Sequence, residues 1–364
     1  MADRPLHIAV DARELGGRPT GVGRYLDRIL RAWIDDPSFP HRLTLFAAGD
    51  PPASFRPTGD RLAWHTLPDA RAGTMWEQTK LPRAVAASGA DVLFAAGYTA
   101  PMRSPCPFVV AIYDVSFFAH PEWFGRREGW RRRWLTRATA RHARTVLTLS
   151  EFSRAEIERF LAVPASRITL APPGAPALVA PIETSREPLL FYVGSLFQRR
   201  HIADLIQAFA LAAPKVPRGR LVLIGDNRTS PRIDPIAIAA AAGVGDRVEW
   251  REYATDEARD RLYQSARAFA YLSEYEGFGI PPVEAMAYGV PSVVLDTPVS
   301  REVYGDAALR VPVDVTAIAA AIVSLMTDDD VHARLVKAGR AKLATFSWET
   351  TAETVGRVLE EAAR

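Results

Sequence analysis

The 364-residue chain has a single cysteine, Cys106, and only four lysines, Lys80, Lys215, Lys337 and Lys342. One thiol excludes a disulfide framework and a cysteine-based structural zinc site, and it fits a protein kept in a reducing compartment. No run of about 18 apolar residues is present, which excludes a membrane-spanning helix; the Ala-rich stretch Ile233–Val244 is too short and carries polar residues. The opening residues Met1–Val10 lack a basic segment followed by an apolar one, so a secretory signal is not expected and a cytoplasmic location is. No Gly-Lys-Ser/Thr occurs, which excludes a P-loop. No Asp-x-Asp falls in a plausible loop, and no His, Asp and Glu residues recur at metal-ligand spacing, so metal-independent chemistry without a bound cofactor is expected.

What is present reads as globular. Hydrophobic residues make up 48% and charged residues 24%, a folded rather than a disordered composition. The length exceeds one ordinary core and fits two domains. The formal charge of +3 hides an asymmetry: residues 1–182 hold 24 basic and 17 acidic residues, residues 183–364 hold 21 and 25. The basic set is almost entirely arginine. Genomic base composition explains that bias; so does phosphate recognition by the planar guanidinium fork.

Short apolar runs alternate with longer helical patterns. Strands are expected at Leu6–Ala12, Arg42–Ala47, Leu62–Leu67, Asp91–Ala95, Phe108–Asp114, Thr145–Leu149 and Ile168–Ala171, with helices at Gly21–Trp33, Met75–Ala87, Arg127–His142 and Ser153–Leu161. After the Pro- and Ala-rich stretch Ala171–Pro188 the pattern restarts. Strands are expected at Leu189–Gly194, Arg220–Ile224, Val248–Glu252, Ala268–Leu272, Ser292–Leu295 and Ala308–Val311. Helices are expected at Ile202–Ala213, Pro235–Ala242, Asp256–Ser265, Pro281–Tyr288, Val315–Met326, Asp330–Ala344 and Trp348–Ala363. This alternation predicts an α/β protein of two doubly wound, Rossmann-like domains with ligands at the carboxyl ends of the strands, in a cleft between the domains. The expected division is residues 1–175, a linker at 176–188, residues 189–345, and a C-terminal helix at 346–364 that returns to the first domain.

Three motifs are placed to carry chemistry. Gly16–Arg24 lies between the first strand and the first helix, where glycines and a helix N-terminus suit a phosphate; a plain strand-to-helix turn explains it equally well. In Tyr192–His201 a strand ends in Gly194-Ser195 and Arg199-Arg200 follow, giving either a diphosphate site or a solvated basic loop. Glu274–Pro291 is the most specific. A strand runs into Glu276-Gly277-Phe278-Gly279-Ile280, Pro281 opens a helix, and Gly289-Val290-Pro291 ends it. Glu276 and Glu284 can then face one cleft beside the loop N–H groups.

The two glutamates inside Ser273-Glu274-Tyr275-Glu276-Gly277-Phe278-Gly279-Ile280-Pro281-Pro282-Val283-Glu284-Ala285-Met286-Ala287 resemble the signature of retaining glycosyltransferases of family 4, which have the GT-B architecture. Trp76-Glu77-Gln78, Asp114–Phe117, His120-Pro121-Glu122, Ser150–Ser153, Tyr192-Val193-Gly194 and Gly305–Ala308 extend the resemblance over nearly the whole chain. The flavour is that of bacterial mannosyl- or rhamnosyltransferases of cell-surface polysaccharide. The resemblance implies a GDP- or dTDP-sugar donor and a glycan or lipid-diphosphate-linked acceptor. It implies that Glu284 holds the ribose hydroxyls. Glu276, with the N–H groups of Gly277, Phe278 and Gly279, would hold the donor sugar, beside Gly194, Ser195 and Ile280. Arg199 and Arg200, where the family usually has Arg-Lys, would meet the diphosphate. The Gly21-Val22-Gly23 loop would approach that diphosphate from the other domain, and Tyr253 would lie near the nucleobase. Where the family usually has His-Asp, this chain has Tyr113-Asp114, from which a donor shifted toward a 6-deoxy sugar is expected.

One more feature stands apart. Arg126–Arg144 holds eight arginines and one acid, Glu128, with Trp130 and Trp134 at helical i,i+4 spacing. Trp130, Arg131, Arg132, Arg133 and Trp134 belong either to an interfacial helix that meets anionic lipid or grips a lipid-diphosphate acceptor, or to a helix whose aromatic face packs on the sheet while the arginines are solvated. Nucleic acid is not the expected partner, since no binding module accompanies the patch. Against the leading reading stand a non-catalytic sugar-nucleotide-binding subunit and a GT-B enzyme of other chemistry, such as an epimerase.

Overall fold

The computed structural model describes residues 4–16, 20–52, 55, 61–69, 73–179 and 186–364. The chain divides into two compact units, Met1–Gly174 with Ser347–Arg364, and Ala175–Phe346.

In the first unit, β1 (His7–Asp11), β2 (Arg42–Ala47), β3 (Leu62–Thr66), β4 (Val92–Ala95), β5 (Phe108–Ala111), β6 (Thr145–Thr148) and β7 (Ile168–Leu170) make one sheet in the order β3-β2-β1-β4-β5-β6-β7. Every neighbouring pair is parallel. The central strands β1, β4 and β5 are buried along their whole length, as parallel strands covered on both faces must be. The intervening helices are α1 (Gly21–Asp35), α2 (Thr74–Ser88), α3 (Ser116–Ala119), α4 (Arg126–His142) and α5 (Glu151–Leu161). Thr20 caps α1 and Ser150 caps α5, each accepting the N–H three residues on, which fixes where the chain turns back after a strand.

In the second unit, β8 (Glu187–Val193), β9 (Arg220–Ile224), β10 (Val248–Arg251), β11 (Ala266–Tyr271), β12 (Ser292–Leu295) and β13 (Ala308–Val311) form a parallel sheet in the order β10-β9-β8-β11-β12-β13. Its helices are α6 (Ile202–Ala212), α7 (Pro235–Ala241), α8 (Asp256–Ser265), α9 (Ile280–Ala287), α10 (Pro298–Val303), α11 (Val315–Thr327) and α12 (Asp329–Leu343). In each sheet the first strand lies in the middle and the winding reverses beside it, between β1 and β4 and between β8 and β11. The loops leaving such a pair of strands splay apart, which opens the usual ligand crevice of this topology.

The last helix, α13 (Trp348–Ala362), belongs to the first unit. Trp33 Nε1 donates to the Ala352 carbonyl at 2.9 Å, Thr351 Oγ1 to the Pro172 carbonyl at 2.5 Å, and His41 pairs with Glu360 at 2.8 Å. The expected linker at 176–188 differs. Residues 180–185 lie outside the described residues, and the flanking positions are part of the second unit: Val179 N–H donates to the Ala287 carbonyl, Arg186 donates to the carbonyls of Tyr263 and Ala266, and β8 already starts at Glu187. Among the described residues no helix is long and apolar enough to cross a membrane.

Candidate active site

The two strands flanking the reversal in the second sheet, β8 and β11, deliver the loops that hold most of the expected site. After β8 the backbone turns through Gly194 with φ of 141°. A side chain there would stand 2.7 Å from Arg200 Nη1, and a side chain on Gly225 would stand 2.0 Å from the Gly194 carbonyl oxygen, so both positions need glycine. A short 3-10 turn, Gln198–Arg200, then places Arg200 back over the strand ends. Its Nη1 donates to the Ser195 carbonyl at 2.8 Å and its Nη2 to Glu276 Oε1 at 3.0 Å, while its carbon head lies 5.1 Å from the centre of the Tyr271 ring. Arg199 lies 4.2 Å from the Phe197 ring centre.

Glu276 lies five residues beyond the end of β11, in the loop and not at the strand end. Tyr271 hydroxyl and Ser273 hydroxyl each donate to its Oε1 at 2.8 Å, joining Arg200 on the same oxygen. Burial works to raise its pKa, but Arg200, Arg199 and the two hydroxyls outweigh it and hold the carboxyl below its ordinary range. The result is an ionised, oriented carboxylate with all of these donors on Oε1, so a sugar hydroxyl would be met by Oε2.

The loop then closes through Gly277, Phe278 and Gly279. Gly279 has φ of 82° and caps α9, whose first residue is Ile280; Pro281 is its second, not its first. Tyr304 fixes this loop, its hydroxyl donating to the carbonyls of Gly279 at 2.8 Å and Phe278 at 3.3 Å. A side chain on Gly279 would stand 2.0 Å from that hydroxyl. Glu284, on the first turns of α9, accepts from the Tyr263 hydroxyl at 3.2 Å and lies close enough to Arg259 to raise that residue's pKa. Tyr253, two residues past β10, is mostly exposed, and a hollow lined by Asn227, Arg232, Ile233, Asp234 and Trp250 lies at the same edge of the sheet.

In the first unit α1 starts at Gly21 as expected, so Gly21, Val22 and Gly23 form its first turn and not a loop ahead of it; Gly23 N–H already donates to Thr20 Oγ1 at 3.0 Å. A side chain on Gly23 would stand 2.3 Å from the Glu14 carbonyl oxygen, so this glycine answers to packing. Residues 17–19 lie outside the described residues. β5 ends at Ala111, and Tyr113 is 6% exposed, packed edge-on against Tyr25 and Tyr98, with its hydroxyl donating to the Ala96 carbonyl at 2.6 Å. The phenol is therefore buried, with its hydroxyl engaged inside the first unit. Asp114 accepts from Tyr98 hydroxyl at 2.7 Å and from Ser116 N–H at 2.8 Å, which sets the start of α3. Trp76 and Glu77 are also buried and Gln78 is half-buried: Trp76 Nε1 donates to the Leu67 carbonyl, Glu77 pairs with Arg13 at 2.9 Å, and Gln78 clamps Ala100 and Met102.

Comparison with known proteins turns this geometry into a family. Residues 19–177 match the family described as Glycosyltransferase Family 4, and residues 180–342 match Glycosyl transferases group 1. O-antigen chain mannosyltransferase B of Escherichia coli is 33% identical over 265 residues, which cover 68% of either chain. The chain belongs to glycosyltransferase family 4. A further relative of this glycosyltransferase is the GDP-mannose:cellobiosyl-diphosphopolyprenol alpha-mannosyltransferase of Xanthomonas oryzae pv. oryzae, 26% identical over 177 residues, 47% of this chain and 46% of that one. Sucrose-phosphate synthase of Thermosynechococcus elongatus shares the fold, with a TM-score of 0.77 at 19% identity over 99% of both chains. The two Rossmann-like units are those of the GT-B architecture.

In this glycosyltransferase the two prongs of Arg200 are both used. One guanidinium reaches both the Ser195 carbonyl and Glu276, which a single ammonium on a flexible stem holds less rigidly. The residues that orient Glu276 and its loop (Tyr271, Ser273 and Tyr304) were not among the expected site residues. Their sequence signal is only that two tyrosines and a serine lie near the motif.

In α4 the structure decides between two readings of the tryptophans. Trp130 and Trp134 are 64% and 53% exposed, whereas Leu135, Thr136, Thr139 and Ala140 make the buried face. The aromatic pair therefore does not pack on the sheet. Arg131 donates to Thr74 Oγ1 at 3.0 Å, Arg132 pairs with Glu128 at 3.2 Å, and Arg133 donates to the Phe117 carbonyl at 3.1 Å, so the last of these is bound into the fold.

Proposed function

We infer that this glycosyltransferase moves a mannosyl group from GDP-mannose to a glycan or lipid-diphosphate-linked acceptor, with retention at the anomeric carbon and without a metal. The observation that carries the reading is the Glu276 carboxylate, ionised and pinned through one oxygen beside Arg200 and Arg199. Such a carboxylate holds donor hydroxyls, and the adjacent guanidinium charge balances a departing diphosphate, the work a metal does elsewhere. Both curated relatives described above are named as mannosyltransferases, and one name specifies GDP-mannose. The mannosyltransferase names of these relatives favour a 6-hydroxylated donor over a 6-deoxy sugar.

In the reaction, Arg199 and Arg200 stabilise the charge that develops on the diphosphate as its bond to the anomeric carbon breaks. The acceptor oxygen forms its bond on the same face, and the acceptor proton passes to the departing phosphate oxygen. Glu276 orients the sugar; three donors and a lowered pKa make it a poor base and a weak nucleophile. Glu284 holds the ribose hydroxyls. The first unit takes the acceptor, and the exposed Trp130 and Trp134 among arginines of α4 fit an anionic membrane surface on which a lipid-linked acceptor would be met.

A thermal-shift screen tests the donor. GDP-mannose is expected to raise the melting temperature, with transfer unchanged by EDTA. A shift only with UDP-, dTDP- or ADP-sugars overturns the donor, EDTA-sensitive transfer overturns metal independence, and a shift without transfer or donor hydrolysis favours the non-catalytic subunit.

A further inference from the structure

The residue after Arg200 is His201, which adopts a left-handed conformation, φ of 49° and ψ of 41°, where a residue with a side chain is uncommon. Its imidazole is engaged at both ends. Nδ1 lies 2.6 Å from Asp204 Oδ2, on α6, and Nε2 lies 2.6 Å from Glu274 Oε1, in the loop that leads to Glu276. The ring is 14% exposed and its two carboxylate partners are 35% and 39% exposed.

The proton inventory follows from the geometry. Ionised carboxylates only accept, and a neutral imidazole has one N–H and one lone pair. Two bonds to two carboxylates therefore require one more proton than neutral histidine supplies, held as imidazolium or shared with a carboxyl. Without it, a lone pair faces a carboxylate oxygen at one end and that bond is lost.

We propose that His201 is a positioning residue, a strap that holds the Arg199-Arg200 turn against the Glu274–Gly279 loop and sets donor affinity. The two segments meet at three points: Arg200 on Glu276, Glu274 N–H on the Arg199 carbonyl at 3.0 Å, and His201 on Glu274. The imidazole joins Asp204 on α6 to Glu274 in the facing loop, so its loss frees the turn carrying Arg200 from the loop carrying Glu276. This inference rests on the reading that these two segments hold the donor.

Calorimetric binding of GDP-mannose tests it. His201→Gly, which suits the left-handed backbone, is expected to bind about tenfold more weakly for the loss of one charge-assisted, half-exposed hydrogen bond, while keeping the wild-type melting temperature within a few degrees. Glu274→Ala is expected to lose affinity to the same extent, and Glu274→Gln, whose amide can still bond the imidazole, to restore most of it. Wild-type affinity in His201→Gly and Glu274→Ala overturns the strap while leaving the donor reading intact. Absence of binding by the wild type overturns the donor reading and the strap with it.

Discussion

Arg200 and Glu276, separated by 76 positions in the chain, meet at 3.0 Å where the loops after β8 and β11 converge. Neither group is placed by its own loop alone. Arg200 is bent back by the glycine at 194 and anchored on the Ser195 carbonyl, and Glu276 is anchored by Tyr271 and Ser273. Substituting one partner thus disturbs the other. Arg200→Ala is expected to lower transfer kcat/KM by at least about a hundredfold, and Arg200→Lys by about tenfold because the charge survives without the fork.

The acid side of the same pair gives a second observable. Glu276 has its carboxyl held below the ordinary range against a burial that would raise it, so its ionised form persists as pH falls. Removing Arg200 takes away the largest opposing influence. The acid limb of the kcat/KM profile is expected to move to higher pH in Arg200→Ala, toward and past the ordinary glutamate range. Steady-state rates from pH 4 to 8 check this, and a limb that stays in place would show that Glu276 is not the group being titrated.

Gly279 and Tyr304 form a lock of a different kind. A methyl on Gly279 meets the Tyr304 hydroxyl at 2.0 Å and must also sit at φ of 82°. Gly279→Ala is expected to cost about 1–3 kcal/mol of stability, and Tyr304→Phe about 1 kcal/mol for its lost hydrogen bonds. Since removing the hydroxyl also removes the clash, the double variant is expected to lose less than the two singles summed. Strict additivity in urea unfolding would mean that the loop relaxes away from Tyr304.

At the end of β1, Asp11 is buried against Arg13, which also pairs with Glu77. Burial outweighs the Arg13 charge and pushes the Asp11 carboxyl up to about 6. The native state then holds a proton that the unfolded chain has released. The stability that this proton provides is complete below the unfolded value of about 4 and is lost as pH rises through about 6. The slope amounts to at most about 3 kcal/mol. Asp11→Asn is expected to flatten it, measured as the urea midpoint between pH 4 and 7.5; an unchanged slope would assign the proton to another group.

The strands were legible because a buried parallel strand must be an apolar run, and Gly or Pro marks most of its ends. Departures are local. β5 stops at Ala111, although Ile112 N–H still donates to the Leu147 carbonyl and Tyr113 continues the apolar run. α3 and α10, of four and six residues, are too short to show a helical repeat. The Glu276 and Glu284 pair was legible as a spacing. The hydroxyls that orient Glu276 were not, because which tyrosine reaches a carboxylate depends on strand order and loop path. The left-handed His201 was hidden for the same reason. The burial of Tyr113 was not legible, because a family contrast at one position says nothing about which way the ring points.

Trp130 and Trp134 share a face by spacing, but only packing reveals that the face is outward, since small residues on the opposite side fill the interior contact. Two exposed indoles among arginines suit a bilayer interface, where the rings lie at headgroup level and each nearby arginine adds about 1 kcal/mol of attraction to anionic lipid. Arg126, Arg127 and Arg131 are exposed, whereas Arg133 holds the Phe117 carbonyl and is unsuited to a clean test. Trp130→Ala with Trp134→Ala, and separately Arg126, Arg127 and Arg131 to Ala, are expected to reduce co-sedimentation with phosphatidylglycerol vesicles by about a hundredfold or more. Melting temperatures should stay near wild type, because these side chains contribute little to the core. Phosphatidylcholine vesicles should bind weakly throughout. Wild-type binding that is equal on both lipids, or that survives both sets of substitutions, removes the membrane from this face and leaves α4 with a soluble acceptor.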